Sequence, residues 1–248
     1  MSSKAEMIIT ADDFGRDAAC TGIIAESLTT GSITAASLMA NGSHFEEACR
    51  LVRSERLDGR IGVHLSLDEG PPLSREMRPY IDSSGQLSMK RRLRRLGAGL
   101  AAAVEAELSA QVDRVLAAGI RPTHLDSHRH IHTVFPIGRL VVRVARRYRI
   151  PYVRPARNLA TSQTASAGFY KWLFNRYLSG RVRTADYFGD VVDFYRRPGE
   201  YDRSGLIECM THLDDSPRGV ENRELLQSDE FRRFVQRFRL IGHADRGR

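Results

Sequence analysis

Apolar and polar positions along the chain follow two different periods. Short runs rich in β-branched residues, and the alternating stretch I-G-V-H-L-S-L, have the two-residue period of a β-strand. Longer stretches place apolar residues three or four positions apart, which is the period of an amphipathic helix. The pattern predicts strands at residues 7–10, 33–39, 61–67, 123–128, 151–155, 186–194 and 206–211. It predicts helices at residues 18–28, 44–53, 90–118, 134–148, 169–178 and 228–238.

The predicted strands alternate with the predicted helices along most of the chain. Such alternation is typical of a mostly parallel sheet with helices packed against it. Seven or eight units in 248 residues indicate an α/β fold of the (β/α) barrel type, either regular or distorted and seven-stranded. Residues 1–248 contain no internal repeat and no linker-like segment, so we expect a single domain. The active site of such a barrel lies at the carboxyl ends of its strands.

The densest group of chemically active side chains is D-S-H-R-H-I-H, at residues 126–132. If the strand that enters this group stays extended, His124, Asp126 and His128 share one face. If the chain becomes helical after His128, that residue and His132 share a face instead. Imidazoles converge in either geometry, and a divalent cation is the partner that satisfies most of them at once. A polar surface loop is the alternative interpretation.

Further polar side chains lie in or after other predicted strands. In a parallel barrel these strand ends open on one face, so we expect the side chains to converge. An aspartate with two histidines leaves coordination positions open for water and substrate, as a hydrolytic metal site requires. A second carboxylate would then act as base and another histidine as acid, which predicts a metal-assisted hydrolase. The residues at the other strand ends are Asp12, Asp13, His64, Arg154 and His212.

Composition limits the class of protein. With 42% hydrophobic and 27% charged residues, the chain is typical of a folded globular protein. The first apolar run, at residues 7–9, is too short for a secretory signal or a membrane span. Three cysteines without metal-binding spacing favour a reducing compartment. We therefore expect a cytoplasmic protein whose cysteines are buried core residues, namely Cys20, Cys49 and Cys209.

Positive charge is concentrated in arginine-rich runs at residues 90–95 and 143–149, and the formal net charge is +8. Such runs can contact nucleic acid or an anionic membrane. Neither run is accompanied by an aromatic ladder, a zinc-finger spacing or a helix-turn-helix pattern. We interpret both as solvated helix faces and expect no nucleic-acid partner.

Four motifs resemble one known family. They are I-I-T-A-D-D-F-G at residues 8–15, S-L-M-A-N-G at 37–42, G-V-H-L-S-L-D-E-G-P-P-L at 62–73 and R-P-T-H-L-D-S-H-R-H-I-H at 121–132. In this order they are similar to the YdjC-type carbohydrate deacetylases, which include chitooligosaccharide and hopanoid-associated deacetylases. Those enzymes are in turn distantly similar in site design to NodB-type polysaccharide deacetylases. The resemblance covers the N-terminal half of the chain and is weaker after it.

The resemblance implies roles for individual residues. Asp13, His64 and His128 would be the ligands of one divalent metal ion, zinc or magnesium, and Asp12 would be the general base. His212 lies in E-C-M-T-H, which is similar to a late segment of the family, and it would be the general acid. The family usually continues with His-Pro-Gly at that point, whereas this chain has His-Leu-Asp-Asp.

Other polar residues receive supporting roles. By the same resemblance, Arg154 in V-R-P would orient the base. His124 and Asp126 are expected to hold the ligand imidazoles. His132 is a reserve metal ligand, because a helical i, i+4 pair with His128 would also chelate. Glu69 begins a loop rich in Gly, Pro and Ser, for which two interpretations stay open: it closes over a sugar, or it is a surface loop stiffened by its prolines. Two histidines are expected at the surface, His44 and His243.

The resulting hypothesis is a metal-dependent N-deacetylase that releases acetate and a free amine from an acetylated amino sugar or its conjugate. Hydrolysis of another amide or ester at the same site is one alternative. A non-catalytic protein that binds carbohydrate or nucleic acid on the same fold is another. A substrate on a lipid carrier would bring peripheral contact with a membrane. The sequence does not decide whether the protein forms a homodimer, and it does not identify the sugar.

Overall fold

The computed structural model describes residues 4–89, 96–159, 164–198, 201 and 205–245. Its strands are β1 (Glu6–Phe14), β2 (Ala35–Leu38), β3 (Ile61–Leu65), β4 (His124–Ser127), β5 (Tyr152–Val153), β6 (Tyr187–Asp190), β7 (Leu206–Thr211) and β8 (Arg239–Leu240). They form one sheet in the order β5-β4-β3-β2-β1-β7-β6, and the short β8 pairs with the start of β1. Every pairing between these strands is parallel.

Helices follow most of the strands. They are α1 (Ala18–Thr30), α2 (Phe45–Ser54), α3 (Ala98–Ala117), α4 (Phe135–Arg147), α5 (Ala165–Ser179), α6 (Val191–Arg196), α7 (Pro217–Gln227) and α8 (Asp229–Val235). Short 3₁₀ segments occur at Arg78–Tyr80 and His128–Thr133. In the part of the chain that the structure describes, no helix has the length and apolar character needed to cross a bilayer.

The sheet curls into a distorted seven-stranded (β/α) barrel, which confirms the predicted fold class. The distortion lies between β5 and β6. Along the described part of that seam, the two strands do not form a ladder, and a single bridge joins Tyr152 to Arg183. The three cysteines are buried and free, which confirms their predicted place in the core: Cys20, Cys49 and Cys209.

Strand β1 is longer than predicted and includes both aspartates that the sequence pattern placed in a loop. Pairing between β1 and β2 shifts register between Ala11 and Phe14, so the aspartates lie at an irregularity of the strand. Asp13 has a φ of 69°, in the left-handed region. Such conformations cost about 1–3 kcal/mol in residues other than glycine and are concentrated at functional sites.

The segment predicted as one strand at residues 186–194 divides into β6 and α6. The side chain of Asp190 accepts hydrogen bonds from the backbone N–H groups of Val192 and Asp193, at 2.9 and 3.2 Å. This cap starts α6 although the sequence V-V-D-F favours a strand. Helix α7 and strand β8 were not predicted, because neither has a clear apolar pattern. Residues 90–95, the predicted start of the long helix, lie outside the described residues.

Two buried side chains of α3 fix the loop after β3. The carboxylate of Glu107 accepts a hydrogen bond from the backbone N–H of Leu73, at 2.9 Å. Nε2 of Gln111 donates to the carbonyl oxygen of Ser66 at 2.6 Å, and its Oε1 accepts from the N–H of the same residue at 2.9 Å. The start of this loop, which includes Asp68, is therefore held against the carboxyl end of β3.

Candidate active site

The strand ends converge on Arg154, which directly follows β5 and is completely buried. Its Nη1 and Nη2 atoms donate to the two carboxylate oxygens of Asp12, each at 2.8 Å. Nη2 also lies 2.8 Å from Oδ2 of Asp126, and Nε donates to Oε1 of Glu208 at 2.7 Å. One guanidinium thus faces three buried carboxylates. Burial would raise the pKa of Asp12, but Arg154 and His64 hold it far below its usual value.

His64 lies on β3, beside Asp126 of β4 in the register of the sheet. Its Nδ1 contacts Oδ1 of Asp126 at 2.8 Å, and its Nε2 lies 3.2 Å from Oδ1 of Asp13. Burial would lower the pKa of His64, but the carboxylates of Asp126 and Asp12 outweigh burial and raise it to about 10. This position therefore favours a positive charge, which either a proton or a metal ion can supply.

His128 lies at the end of β4 and is held by the loop after β3. Its Nδ1 contacts Oδ1 of the buried Asp68 at 2.9 Å. Its Nε2 lies 3.6 Å from Oε2 of Glu69, whose side chain is 40% exposed. The imidazole is thus anchored through one nitrogen, while the other faces the partly open side of the site.

The segment His128–Thr133 is kinked and is not an α-helix. Arg129 and His130 have φ values of 49° and 55°, in the left-handed region. The i, i+4 geometry that made His132 a reserve ligand is therefore absent, and that part of the prediction is wrong. His132 is buried, its Nδ1 contacts Oγ of Ser127 at 2.5 Å, and burial lowers its pKa to about 3. This ring is consequently neutral near neutral pH.

Asp13 combines a hydrogen-bonded oxygen with an unsatisfied one. Its Oδ2 accepts a hydrogen bond from Nη1 of Arg16 at 2.6 Å. Its Oδ1 is buried and accepts no hydrogen bond from any described residue. Burial would raise the pKa of Asp13, but His64 lowers it to about 2, so the carboxylate is ionised. Nη2 of Arg16 donates to Oδ2 of Asp214 at 3.2 Å, which connects the unusual His-Leu-Asp-Asp sequence to the site.

His212 follows β7 at the open side of the cluster. Its Nε2 lies 4.0 Å from Oδ2 of Asp12, and its side chain is 33% exposed. Its carbonyl oxygen accepts a hydrogen bond from Nδ2 of Asn222 at 3.1 Å, which fixes the backbone at this point. The imidazole is therefore accessible from solvent and lies close to the buried carboxylate of Asp12.

One group of side chains with ligand atoms close enough to hold a cation is Asp12, His64 and Asp126, whose atoms lie within 4.8 Å of one another. However, Arg154 already binds both of these carboxylates. In addition, Nδ1 of His64 already makes a hydrogen bond with Oδ1 of Asp126. A cation in this position would have to displace existing interactions.

A second group consists of Asp13, His64 and His128. Oδ1 of Asp13 and Nε2 of His64 lie 3.2 Å apart, and Nε2 of His128 lies 3.6 Å from Oε2 of Glu69. Each imidazole is held at Nδ1 by a carboxylate, which is how proteins commonly orient the Nε2 atom of a metal ligand. The two rings have centroids 6.0 Å apart, and Oδ1 of Asp13 is buried and unsatisfied. One carboxylate and two imidazoles are a donor set that suits zinc. The chemistry of these residues therefore fits a divalent cation.

His124 supports the site indirectly. Oγ of Ser37 donates to Oδ2 of Asp126 at 2.6 Å and lies 3.0 Å from Nε2 of His124. Burial and the neighbouring His243 hold the pKa of His124 well below its usual value. His243 was predicted at the surface, and this prediction is wrong, because it is buried and its ring stacks on His124 with centroids 3.7 Å apart. Its Nε2 lies 3.8 Å from Oε1 of Glu208, so it completes the buried polar cluster.

Sequence reasoning assigned no separate role to several residues that complete the cluster. The E-C-M-T-H motif contained a usable signal, because alternation along a strand places Glu208 and His212 on the same side. The remaining residues carry no such signal, since each reaches the site from a loop or a neighbouring strand. The residues without an assigned role are Arg16, Ser37, Asp68 and Glu208.

Comparison with known proteins decides the family. The model of the YdjC-like protein family matches residues 6–237, which is nearly the whole chain. The chain belongs to the YdjC-like family. This result confirms the family that the four motifs indicate, and it extends the resemblance through the C-terminal half.

The YdjC-like chain also has relatives among curated sequences and solved structures. A carbohydrate deacetylase of Brevibacillus brevis is 35% identical over 218 residues, which cover 84% of this chain and 80% of that protein. A carbohydrate deacetylase of Halalkalibacterium halodurans is 31% identical over 215 residues, which cover 84% of each protein. A crystal structure from Enterococcus faecalis, provisionally described as a cellobiose-phosphate cleavage protein, matches with a TM-score of 0.76 and 25% identity. That match covers 98% of this chain and 99% of the other.

Proposed function

We propose that this YdjC-like chain is a divalent-metal-dependent hydrolase that removes the N-acetyl group from an acetylated amino sugar or its conjugate. The relatives named carbohydrate deacetylase support the reaction and the substrate class. The observation that carries the metal dependence is the buried Oδ1 of Asp13, which accepts no hydrogen bond from the described residues and lies 3.2 Å from Nε2 of His64. The ring of His64 in turn lies 6.0 Å from the ring of His128, measured between centroids. The products are acetate and a free amine.

Asp13, His64 and His128 would hold the metal ion. When bound, the ion would polarise the acetyl carbonyl and make a water molecule more acidic. Two imidazole nitrogens with one carboxylate oxygen favour zinc over magnesium, since magnesium prefers oxygen ligands. Ligation requires a neutral imidazole, so metal loading displaces the proton that the surrounding carboxylates favour on His64.

Asp12 is the proposed general base. Arg154 binds both of its oxygens at 2.8 Å, which fixes its orientation and keeps it ionised. An ionised carboxylate accepts the proton of the attacking water as the water oxygen bonds to the acetyl carbon. The pKa of Asp12 is too low for it to keep this proton. We therefore assign its onward transfer to His212, whose Nε2 is 4.0 Å away.

His212 is the proposed general acid. When the carbon–nitrogen bond breaks, the leaving nitrogen needs a proton, because an amide anion is a very poor leaving group. The partial exposure of His212 allows it to reach a substrate bound over Asp12. The proton taken from water thus ends on the sugar amine, which leaves. The acetyl group becomes acetic acid, which releases its remaining proton to solvent as acetate.

The mouth of the site is the proposed sugar-binding region. Glu69 lies there, 3.6 Å from His128, and it is exposed enough to contact a hydroxyl group of the sugar. Nδ2 of Asn41 donates to the carbonyl oxygen of Glu69 at 2.8 Å, which fixes the backbone of this loop. His124, Asp126 and His132 are assigned to holding the site together and not to substrate contact.

Replacing His128 with alanine is expected to abolish metal binding, because the variant keeps only two of the three proposed ligands. Elemental analysis of the purified protein, after incubation with zinc and removal of the excess, checks this result. His44→Ala is the matched control, since the imidazole of His44 contacts Oγ of Ser43 and not the site. A His128→Ala protein that retains one equivalent of metal would exclude His128 as a ligand.

Acetate release measured over a panel of N-acetylglucosamine conjugates tests the activity itself. We expect release from at least one conjugate, its loss on treatment with a chelator, and its recovery when zinc or magnesium is restored. Release that persists in chelator would contradict metal dependence. Hydrolysis restricted to O-acetyl or other esters would show that the enzyme is an esterase and would contradict the proposed N-deacetylase activity.

A further inference from the structure

Helix α5 carries an exposed apolar surface that the proposed catalytic function does not use. Six large hydrophobic side chains are exposed among the described residues, and four of them lie on this helix, with exposures from 43% to 65%. These four residues, Phe169, Tyr170, Trp172 and Leu173, are called the α5 patch. Phe169, Trp172 and Leu173 have the i, i+3, i+4 spacing of one helix face. The rings of Phe169 and Trp172 stack with centroids 5.8 Å apart.

Phe169, Trp172 and Leu173 of the α5 patch are not needed to attach the helix, whereas the hydroxyl of Tyr170 does bond to the rest of the chain. Phe174 and Leu178, one turn apart, are buried and form the inner face of α5. Isolated hydrophobic residues are common on protein surfaces, but a contiguous group of aromatic side chains usually marks a contact with another molecule. The patch therefore needs a partner.

The charges that accompany the α5 patch are positive. Helix α5 presents the exposed Arg176 one turn after Trp172, on the same face, and has no acidic residue anywhere in its sequence. The turn that follows adds the exposed Arg181 and Arg183. Aromatic residues beside lysine and arginine are typical of surfaces that bind the headgroup region of an anionic bilayer.

We propose that the α5 patch binds the surface of an anionic lipid bilayer. Trp172 and Phe169 would enter the headgroup region, while Arg176 and Arg181 would attract anionic headgroups. A second copy of this chain is a poorer partner. A twofold contact through α5 would place the same positive side chains opposite each other, in a chain whose formal net charge is already +8.

The position of the α5 patch relates it to the candidate active site. The hydroxyl of Tyr170 donates to the carbonyl oxygen of Thr133 at 2.7 Å and accepts from the backbone N–H of Phe135 at 2.9 Å. Thr133 ends the kinked segment that begins with His128. Docking through α5 would therefore bring the site close to the bilayer, where an amino sugar on a lipid carrier is found. This consequence for the substrate rests on the proposed function, whereas the docking itself does not.

The fluorescence of Trp172 tests the proposal directly, because it is the only tryptophan of the chain. The full chain is titrated with vesicles of phosphatidylcholine alone and with vesicles that also contain phosphatidylglycerol. We expect a blue shift and protection from acrylamide quenching only with the anionic vesicles, both reversed by salt. Unchanged emission with anionic vesicles at low salt would overturn the proposal.

A matched pair of leucine substitutions tests the surface. Leu173→Ser is expected to weaken sedimentation with anionic vesicles about tenfold, since it removes apolar area that enters the headgroup region. Leu116→Ser changes an exposed leucine of α3, with an exposure of 39%, and should leave binding within about twofold. Equal effects of the two substitutions would overturn the assignment to α5.

Two further measurements separate the alternatives. Light scattering that finds a concentration-dependent dimer, abolished by Leu173→Ser, would assign the α5 patch to a second copy and overturn the proposal. Salt-sensitive binding of single-stranded nucleic acid that the same substitution weakens would also overturn it. Acetate release from a water-soluble substrate should be the same in Leu173→Ser and the unchanged protein. The membrane proposal and the proposed function can therefore fail independently.

Discussion

Asp12→Asn is expected to lower the turnover number roughly 10²–10⁴-fold and to leave the metal content unchanged. The asparagine side chain has nearly the same shape as aspartate, but it cannot accept the proton of the attacking water. Its amide nitrogen would also face a donor of Arg154, where the carboxylate now accepts two hydrogen bonds at 2.8 Å. Acetate release and elemental analysis on the same preparation check both expectations, and a thermal melt shows that the variant is folded.

Asp229→Asn is the matched control, because Asp229 is an exposed residue of α8 that pairs with Arg232 and lies outside the site. Activity of Asp12→Asn within about tenfold of the unchanged protein would exclude Asp12 as the base. The metal content separates the two candidate ligand groups. If Asp12→Asn lost its metal, the ion would be held by Asp12, His64 and Asp126, and not by the group that contains Asp13.

The sequence predicted the strand ends that supply the site, because density and alternation are local properties. His64 and Asp126 each lie on a short strand with a clear two-residue period. Their contact at 2.8 Å depends on a register that places them side by side on β3 and β4. Register is determined by packing across the whole sheet, and a shift of one residue would turn every side chain to the opposite face. It is therefore harder to predict which residues of a site contact each other than to predict which residues belong to it.

The same limit explains the residues that received no role. Ser37 reaches Asp126 from β2, and Asp68 reaches His128 from a loop held by α3. Both contacts depend on tertiary structure. The left-handed conformations of Arg129 and His130 were also not predictable, because neither residue is a glycine or part of a common turn sequence. A helical turn after His128 was one of the two geometries that the sequence left open, and His132 was a reserve ligand only in that geometry.

The fold was predictable where each element has its own apolar period. The predicted strand at residues 206–211 agrees with β7, and most of the other strands and helices were found with small errors at their ends. Errors occurred where a polar side chain decides the local structure. Asp190 ends β6 by capping α6, and buried partners allow Asp12 and Asp13 to lie inside β1. Each of these cases requires a partner that local sequence does not show.

Arg154 connects the fold to the site, because one buried cation stabilises three carboxylates that come from different strands. Such a group is costly to bury, and its ion pairs offset the desolvation only while every partner is present. The hydroxyl of Tyr152 also donates a hydrogen bond to Glu208 at 2.6 Å and so helps to stabilise this buried carboxylate. The arrangement fixes the orientation of Asp12 and Asp126 before any substrate or metal binds. The cluster is therefore better explained by the positioning of the site than by stability.

Arg154→Met is expected to destabilise the protein by about 3–5 kcal/mol near neutral pH, since it leaves three buried carboxylates without their cation. Arg154 now holds the pKa values of Asp12, Asp126 and Glu208 below their usual range. Without it, burial would raise those values above the values in the unfolded chain. Chemical denaturation followed by circular dichroism measures the free energy of unfolding.

The pH dependence distinguishes this explanation from a simple loss of packing. In the unchanged protein, the lowered carboxylate pKa values contribute stability that is lost as the pH falls below about 4. In Arg154→Met, the pKa values of the three buried carboxylates are higher in the folded state than in the unfolded chain. As the pH falls, the folded state therefore takes up protons first, and protonation removes the cost of burying unpaired negative charges. The difference in stability between the two proteins should therefore narrow as the pH falls from about 7 to about 5.

Arg157→Met, which removes a partly exposed arginine paired with Asp193, is the control and should lower the free energy of unfolding by at most about 1 kcal/mol. A constant difference at all pH values would show that Arg154 acts through packing alone.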